Sequence, residues 1–97
     1  MATYITLASF TDQGIRNIED TTKRANAVKK AAKKLGVTMK EIFWTLGAYD
    51  MVVMFEAKDD AAMTALGLTI GKSGNVRTQT MRAFSPDEMS AILAKVG

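Results

Sequence analysis

The stretch Phe43–Asp60, FWTLGAYDMVVMFEAKDD, decides the fold of this chain. Two apolar runs flank Gly47-Ala48, and both are rich in residues that favour strands. A glycine in first place suits a two-residue type II′ turn, where that position needs a positive φ. The pattern predicts a hairpin, with strand two over Met39–Leu46 and strand three over Tyr49–Glu56. In that register Leu46 faces Tyr49, Thr45 faces Asp50, Trp44 faces Met51 and Phe43 faces Val52. Cross-strand partners share a side of the sheet. One side then holds Ile42, Trp44, Leu46, Tyr49, Met51, Val53 and Phe55, and should meet the helices. The other holds Phe43, Thr45, Asp50, Val52 and Met54, a mixture of apolar and polar groups.

Outward from the hairpin, the periods change. Thr3–Phe10 alternates as a strand does. Thr11–Gly14 is a turn or a helix start. A short helical piece over about 12–19 and a longer one over about 22–35 follow, with Ile15, Ile18, Ala25, Val28, Ala32 and Leu35 near a 3.6 period. Thr21 or Thr22 is a candidate cap, and Gly36 the expected stop. Asp59 or Asp60 should cap a helix to about Gly71, with Met63, Leu66 and Ile70 facing inward. Asn75–Phe84 reads as strand four. Ser85-Pro86-Asp87-Glu88 starts a last helix, with serine at N-cap, proline at N1 and glutamate at N3. Its stripe is Met89, Ile92, Leu93 and Val96.

The order β-α-β-β-α-β plus a helix predicts an α+β, ferredoxin-like sandwich: a four-stranded antiparallel sheet with two helices on one face. One domain is expected over residues 1–97, with a core over 3–84 and a C-terminal helix over 86–95.

The totals remove several function classes. The chain has 97 residues, with 47% apolar and 24% charged, as in ordinary globular proteins. It has no cysteine, so disulfide frameworks and thiolate chemistry are excluded. It has no histidine, the commonest general base and metal ligand. No metal site and no cofactor are expected, and Asp59-Asp60 is read as a cap. No apolar run approaches the ~20 residues of a membrane helix, and Met1–Tyr4 does not begin a signal peptide. The expectation is a cytoplasmic protein with no membrane partner. The net charge is +3, and much of the excess lies in residues 12–35. Lysines there suit a solvated helix face near its C-terminal end. Nucleic acid is not an expected partner, and "GKSG" at 71–74 lacks the spacing of a phosphate loop.

An antiparallel sheet facing water normally shows polar residues on that side. Here the mixed side carries Phe43, Val52 and Met54, and strand one is expected to add Tyr4, Thr6, Ala8 and Phe10. Strand four is expected to place Arg77, Gln79 and Met81 there. A second copy, packed sheet against sheet, is the expected cover. The terminal helix either folds over part of this face or packs on the neighbour.

The passage Trp44–Asp50, the following Glu56-Ala57 and Asp59-Asp60, and Gly74–Thr78 resemble the GYD-domain family of small bacterial and archaeal proteins. Gly14–Asn17 and Arg24-Ala25 are similar to it too, so the resemblance covers about residues 3–84. Lys58 and Asp12-Gln13 depart from it, each where the family commonly has a proline. The resemblance implies subunits that pair through their sheets as a dimeric α/β barrel. It implies no assigned activity.

The candidate ligand-pocket residues are Tyr49, Asp50, Thr45 and Arg77. Asp50 falls on the mixed side, and a covered carboxylate needs a partner, for which Arg77 or Arg82 is placed. Alternatively Tyr49-Asp50 only punctuates a hairpin, and Arg77 is a charge that protects an edge strand. Two functions are therefore expected. One is a homo-oligomeric binding or assembly module with a small-molecule pocket at the sheet face. The other is a cofactor-independent isomerase or monooxygenase, with Asp50 as base and Tyr49 or Arg77 steadying an anion.

Overall fold

A computed structural model describes all residues, 1–97. Strand β1 (Ala2–Phe10) leads into a short helix α1 (Asp12–Arg16), a 3-10 turn (Ile18–Asp20) and helix α2 (Thr21–Lys34). Strands β2 (Val37–Trp44) and β3 (Met51–Ala57) follow, then helix α3 (Asp60–Lys72), strand β4 (Val76–Ala83) and helix α4 (Pro86–Leu93). The strands form one antiparallel sheet in the order β2-β3-β1-β4. This is the ferredoxin-like sandwich expected from the element order.

Local chemistry sets the ends. Asp59 caps α3 by accepting from the Ala62 N–H at 2.9 Å. Gly36 ends α2 at φ +77°, a conformation that favours glycine. Ser85 and Glu88 form a reciprocal capping box at α4. Neither Thr21 nor Thr22 caps α2. The 3-10 turn feeds straight into the helix, and the Thr21 N–H donates to the Ile18 carbonyl.

The core lies between the sheet and the two long helices. Phe55, Leu66 and Val37 are wholly buried, joined by Tyr4 and Val53 from the sheet and by Met63 and Ile70 from α3. Thr6 is also buried, and its hydroxyl is bonded to that of Thr80 at 2.9 Å.

Two expectations about faces are corrected. Tyr4 pairs with Phe55 and Thr6 with Val53, so Tyr4, Thr6, Ala8 and Phe10 lie on the helix side. The open side receives Thr3, Ile5, Leu7 and Ser9 instead. Alternation within one strand cannot say which set faces the core. The register against β3 does. The hairpin is also longer than two residues. The ladder closes at Trp44–Met51, as expected, but Thr45–Asp50 form an open loop with Gly47 at φ +118°. Alternation therefore stops at Trp44: Leu46 is fully exposed and Tyr49 leaves the helix side. A bulge at Lys40, between Met39 and Glu41, begins β2 two residues earlier than its apolar run suggests.

With these corrections the open side stays largely apolar, with Ile5 and Leu7 in place of Tyr4 and Phe10. It carries Ile5, Leu7, Phe43, Val52, Met54 and Met81, by their register. Phe43 is 58% exposed and Met81 41%. Away from the sheet, Met89 and Leu93 of α4 and Val96 beyond its end are also exposed. The protomer has an accessible surface of 6549 Å². A compact 10.5-kDa monomer exposes about 5,400 Å². The Cα radius of gyration is 14.6 Å; a compact chain of this length has about 12.5 Å.

The local geometry makes two testable points. A Cβ at buried Gly14 would sit 2.0 Å from the Asn75 carbonyl oxygen. Gly14→Ala is expected to cost about 1–3 kcal/mol in denaturant unfolding, the range for an overpacked site. At α4, the Ser85 N–H donates to Glu88 and holds its carboxyl below the ordinary value of 4.5. A depressed folded pKa contributes stability that is fully present above the unfolded value and lost as pH falls through the folded one. Amide exchange is expected to show α4 loosening in that acid window. In Glu88→Gln this pH dependence disappears.

Candidate functional site

Tyr49, Asp50 and Thr45 sit where the β2–β3 loop meets the end of β1. The Asp50 carboxylate accepts from the Phe10 N–H at 2.9 Å, and the Asp50 N–H donates to the Ala8 carbonyl at 2.9 Å. The Thr45 N–H donates to the Asp50 carbonyl at 2.8 Å, and its hydroxyl donates to the Tyr49 carbonyl at 2.6 Å. Asp50 thus satisfies the backbone where β1 ends and the hairpin loop begins. Neither Arg77 nor Arg82 pairs with it. Tyr49 reaches across β1, and its hydroxyl donates to Gln79 on β4 at 3.1 Å. Gln79 pairs with Leu7, so this contact lies over the open side. Arg77 pairs with Ser9 at the same end of the sheet and makes no ion pair. The four residues lie at the same end of the sheet, and only Thr45, Tyr49 and Asp50 are bonded together.

The glycine motifs near Gly14 and Gly74 meet elsewhere, in a network that locks α1 to the α3–β4 loop. Thr11 donates its hydroxyl to the Gly74 carbonyl at 2.6 Å and its N–H to the Asn75 carbonyl at 3.1 Å. Arg24 donates to the carbonyls of Asn17 and Gly14 at 2.7 and 3.1 Å. These residues hold one backbone segment to another, and Arg24 does so without an acidic partner.

A polar cleft of about 470 Å³ lies between α3 and the edge strand β4, lined by Tyr4, Asp60, Thr64, Leu68, Thr80 and Arg82 among others. The Tyr4 hydroxyl donates to Asp60. That bond, with burial second, raises the Tyr4 pKa above 10.0. Arg82 lies 5.7 Å from the Tyr4 ring centre and 4.5 Å from that of Phe84, within cation–π range. It also pairs with Glu88 at 3.2 Å and donates to the Thr3 carbonyl. Arg82 therefore fastens the start of α4 to the sheet edge.

A second cavity, about 210 Å³, opens on the helix side beneath α2. Ala25 and Val28 form its roof, and Met39, Ile42, Met51 and Val53 part of its floor. Its origin is compositional. The inner stripe of α2 is Ala25, Val28 and Ala32, whereas α3 offers Met63, Leu66 and Ile70. Ala32 is wholly buried in the core, but the short Ala25 and Val28 leave a gap above the sheet nearer the start of α2.

None of the four predicted site residues lines this cavity. Sequence periodicity identified the α2 stripe but not its shortfall in volume. The signal available was the run of alanines facing an aromatic and methionine-rich strand. The Tyr4 contacts were missed because the face of β1 was misassigned.

Removing the Asp50 acceptor should act on stability. Asp50→Ala is expected to cost about 1–3 kcal/mol, since the Phe10 N–H loses its partner. Asp50→Asn retains an acceptor oxygen, and its denaturation midpoint should lie much nearer that of the parent.

Known proteins resemble this chain in sequence and in fold. A Thermus thermophilus protein named glutamine synthetase and cystathionine beta-lyase binding protein is 30% identical over 94 residues, covering 96% of this chain and 99% of that one. The crystal structure of MtbAldR matches with a TM-score of 0.67 at 8% identity, over 87% of this chain and 52% of that one. That of TTHA0845, also from Thermus thermophilus, matches with a TM-score of 0.55 at 24% identity, over 88% and 95%. These two likenesses are of fold. The family model described as GYD domain matches residues 4–93, nearly the full length. The chain is a member of the GYD-domain family.

Proposed function

We propose that this protein is a small binding module that pairs with itself through the open side of its sheet and, so assembled, docks on larger enzymes. The observation that carries the first half is the uncovered apolar side. Its large side chains contribute about 1.5–3 kcal/mol each when fully buried. The protomer exposes about 1,100 Å² more than a compact monomer of its mass. A standard interface takes about 800 Å² from each partner, so the excess matches one such contact. Two sheets stacked about 10 Å apart would form the dimeric α/β barrel.

Support for the second half comes from the Thermus relative, whose name describes a protein that binds two enzymes and which this chain matches along its whole length. The bonding of Asp50 weighs against its use as the base of a cofactor-independent isomerase or monooxygenase, because that carboxylate holds the Phe10 N–H. Tyr49, Thr45, Asp50 and Arg77 then rim the paired sheets, where a small molecule could be held beside the interface.

Leu7 lies between Val52 and Gln79 on the open side. Leu7→Lys should leave the protomer folded by circular dichroism and shift it to the single-chain mass at micromolar concentration. Unchanged assembly would overturn the proposed interface. Immobilised parent protein should retain purified glutamine synthetase or cystathionine beta-lyase. If it retains neither, the enzyme-binding half falls while the interface stands.

A further inference from the structure

We propose that the cavity beneath α2 is a binding site for a small, uncharged aromatic or apolar molecule, held between the alanine roof of α2 and the sheet. It lies on the opposite side of the sheet from the proposed interface and does not depend on assembly.

Size and wall chemistry set the ligand class. A cavity of about 150 Å³ lined by aliphatic and aromatic groups stays dry and takes up benzene. This one is about 210 Å³, and 12 of its 18 lining residues are hydrophobic, so its volume suits a substituted benzene or a fused pair of small rings. The gap is built by residue choice, because Ala25 and Val28 stand where α3 uses methionine, leucine and isoleucine.

Most of the polar side chains around the cavity have a partner within the protein. Arg24 donates to the Asn17 and Gly14 carbonyls and lies 6.0 Å from the Phe10 ring centre. Thr21 accepts from the Trp44 indole N–H at 3.0 Å, and Asn75 accepts from the Gln13 amide at 3.0 Å. Ser73 donates to the Ile70 carbonyl at 2.7 Å. No buried side-chain nitrogen or oxygen in the protein lacks a partner. No carboxylate lines the cavity, and its one charged side chain is the cationic Arg24, so a cationic ligand would lose its hydration and find no counter-group. Access is from the first half of α2, where Thr21, Arg24, Ala25 and Val28 are only half-buried.

The test titrates the full chain with toluene, indole and benzylammonium, observed through side-chain methyl resonances and thermal unfolding. Toluene or indole should shift the Ile42, Met51 and Val53 methyls saturably and raise the unfolding temperature. Benzylammonium, with the same ring and a positive charge, should do neither. Ala25→Leu fills the roof and should weaken binding at least tenfold while raising the unfolding temperature of the free protein. Ile42→Phe fills the cavity from the floor and serves if Ala25→Leu does not fold. The proposal is overturned if neither neutral probe shifts those methyls, if benzylammonium binds as well as toluene, or if the filled variant binds as the parent does. Shifts confined to Leu7 and Val52 would place binding on the other side of the sheet and would also overturn it.

Discussion

A pleated sheet has two sides, and this chain has two long helices for only one of them. Everything distinctive about the protein follows from that shortage. The side facing α2 and α3 buries Phe55, Val37 and Tyr4 against Leu66, Met63 and Ile70. The other side presents Ile5, Leu7, Val52, Met54, Phe43 and Met81 with no element of the same chain laid across it. The hydrophobic effect is non-directional and scales with area, so a surface of this kind is driven to find a cover. The extended dimensions, 51 by 31 by 18 Å, describe a thin slab with one sticky side.

Much of the architecture was legible in the sequence because its signals are local. The Ser85–Glu88 capping box, Gly36 after α2 and Asp59 before α3 each act within one turn of chain. The pairs Trp44–Met51 and Phe43–Val52 could be found from the glycine alone. The assignment of β1 failed because it is a non-local matter. Tyr4 and Ile5 are both credible core residues, and only pairing with Phe55 and Met54 decides between them. In this case the core took the tyrosine, since its hydroxyl finds Asp60 at the start of α3. The length of the hairpin loop was also misjudged, because a glycine with positive φ serves a six-residue loop as well as a tight turn.

The site was less legible than the fold. Tyr49 and Asp50 attract attention as a polar pair at a turn, yet Asp50 commits its carboxylate to the Phe10 N–H and Tyr49 its hydroxyl to Gln79. The cavity beneath α2 left only a volumetric trace, a helix stripe of alanines where its neighbour carries long side chains. Periodicity counts which residues face inward and is blind to how far they reach. A chain without histidine or cysteine is poorly equipped for acid–base or covalent catalysis. Apolar contact, at the open side and under α2, is what this composition supplies in quantity.

The most direct measurement is the molar mass of the unmodified chain in solution by light scattering, at micromolar concentration and with folding checked in the same sample. Pairing through the open side predicts twice the protomer's 10.5 kDa, or a larger multiple. A well-folded species at 10.5 kDa would contradict it.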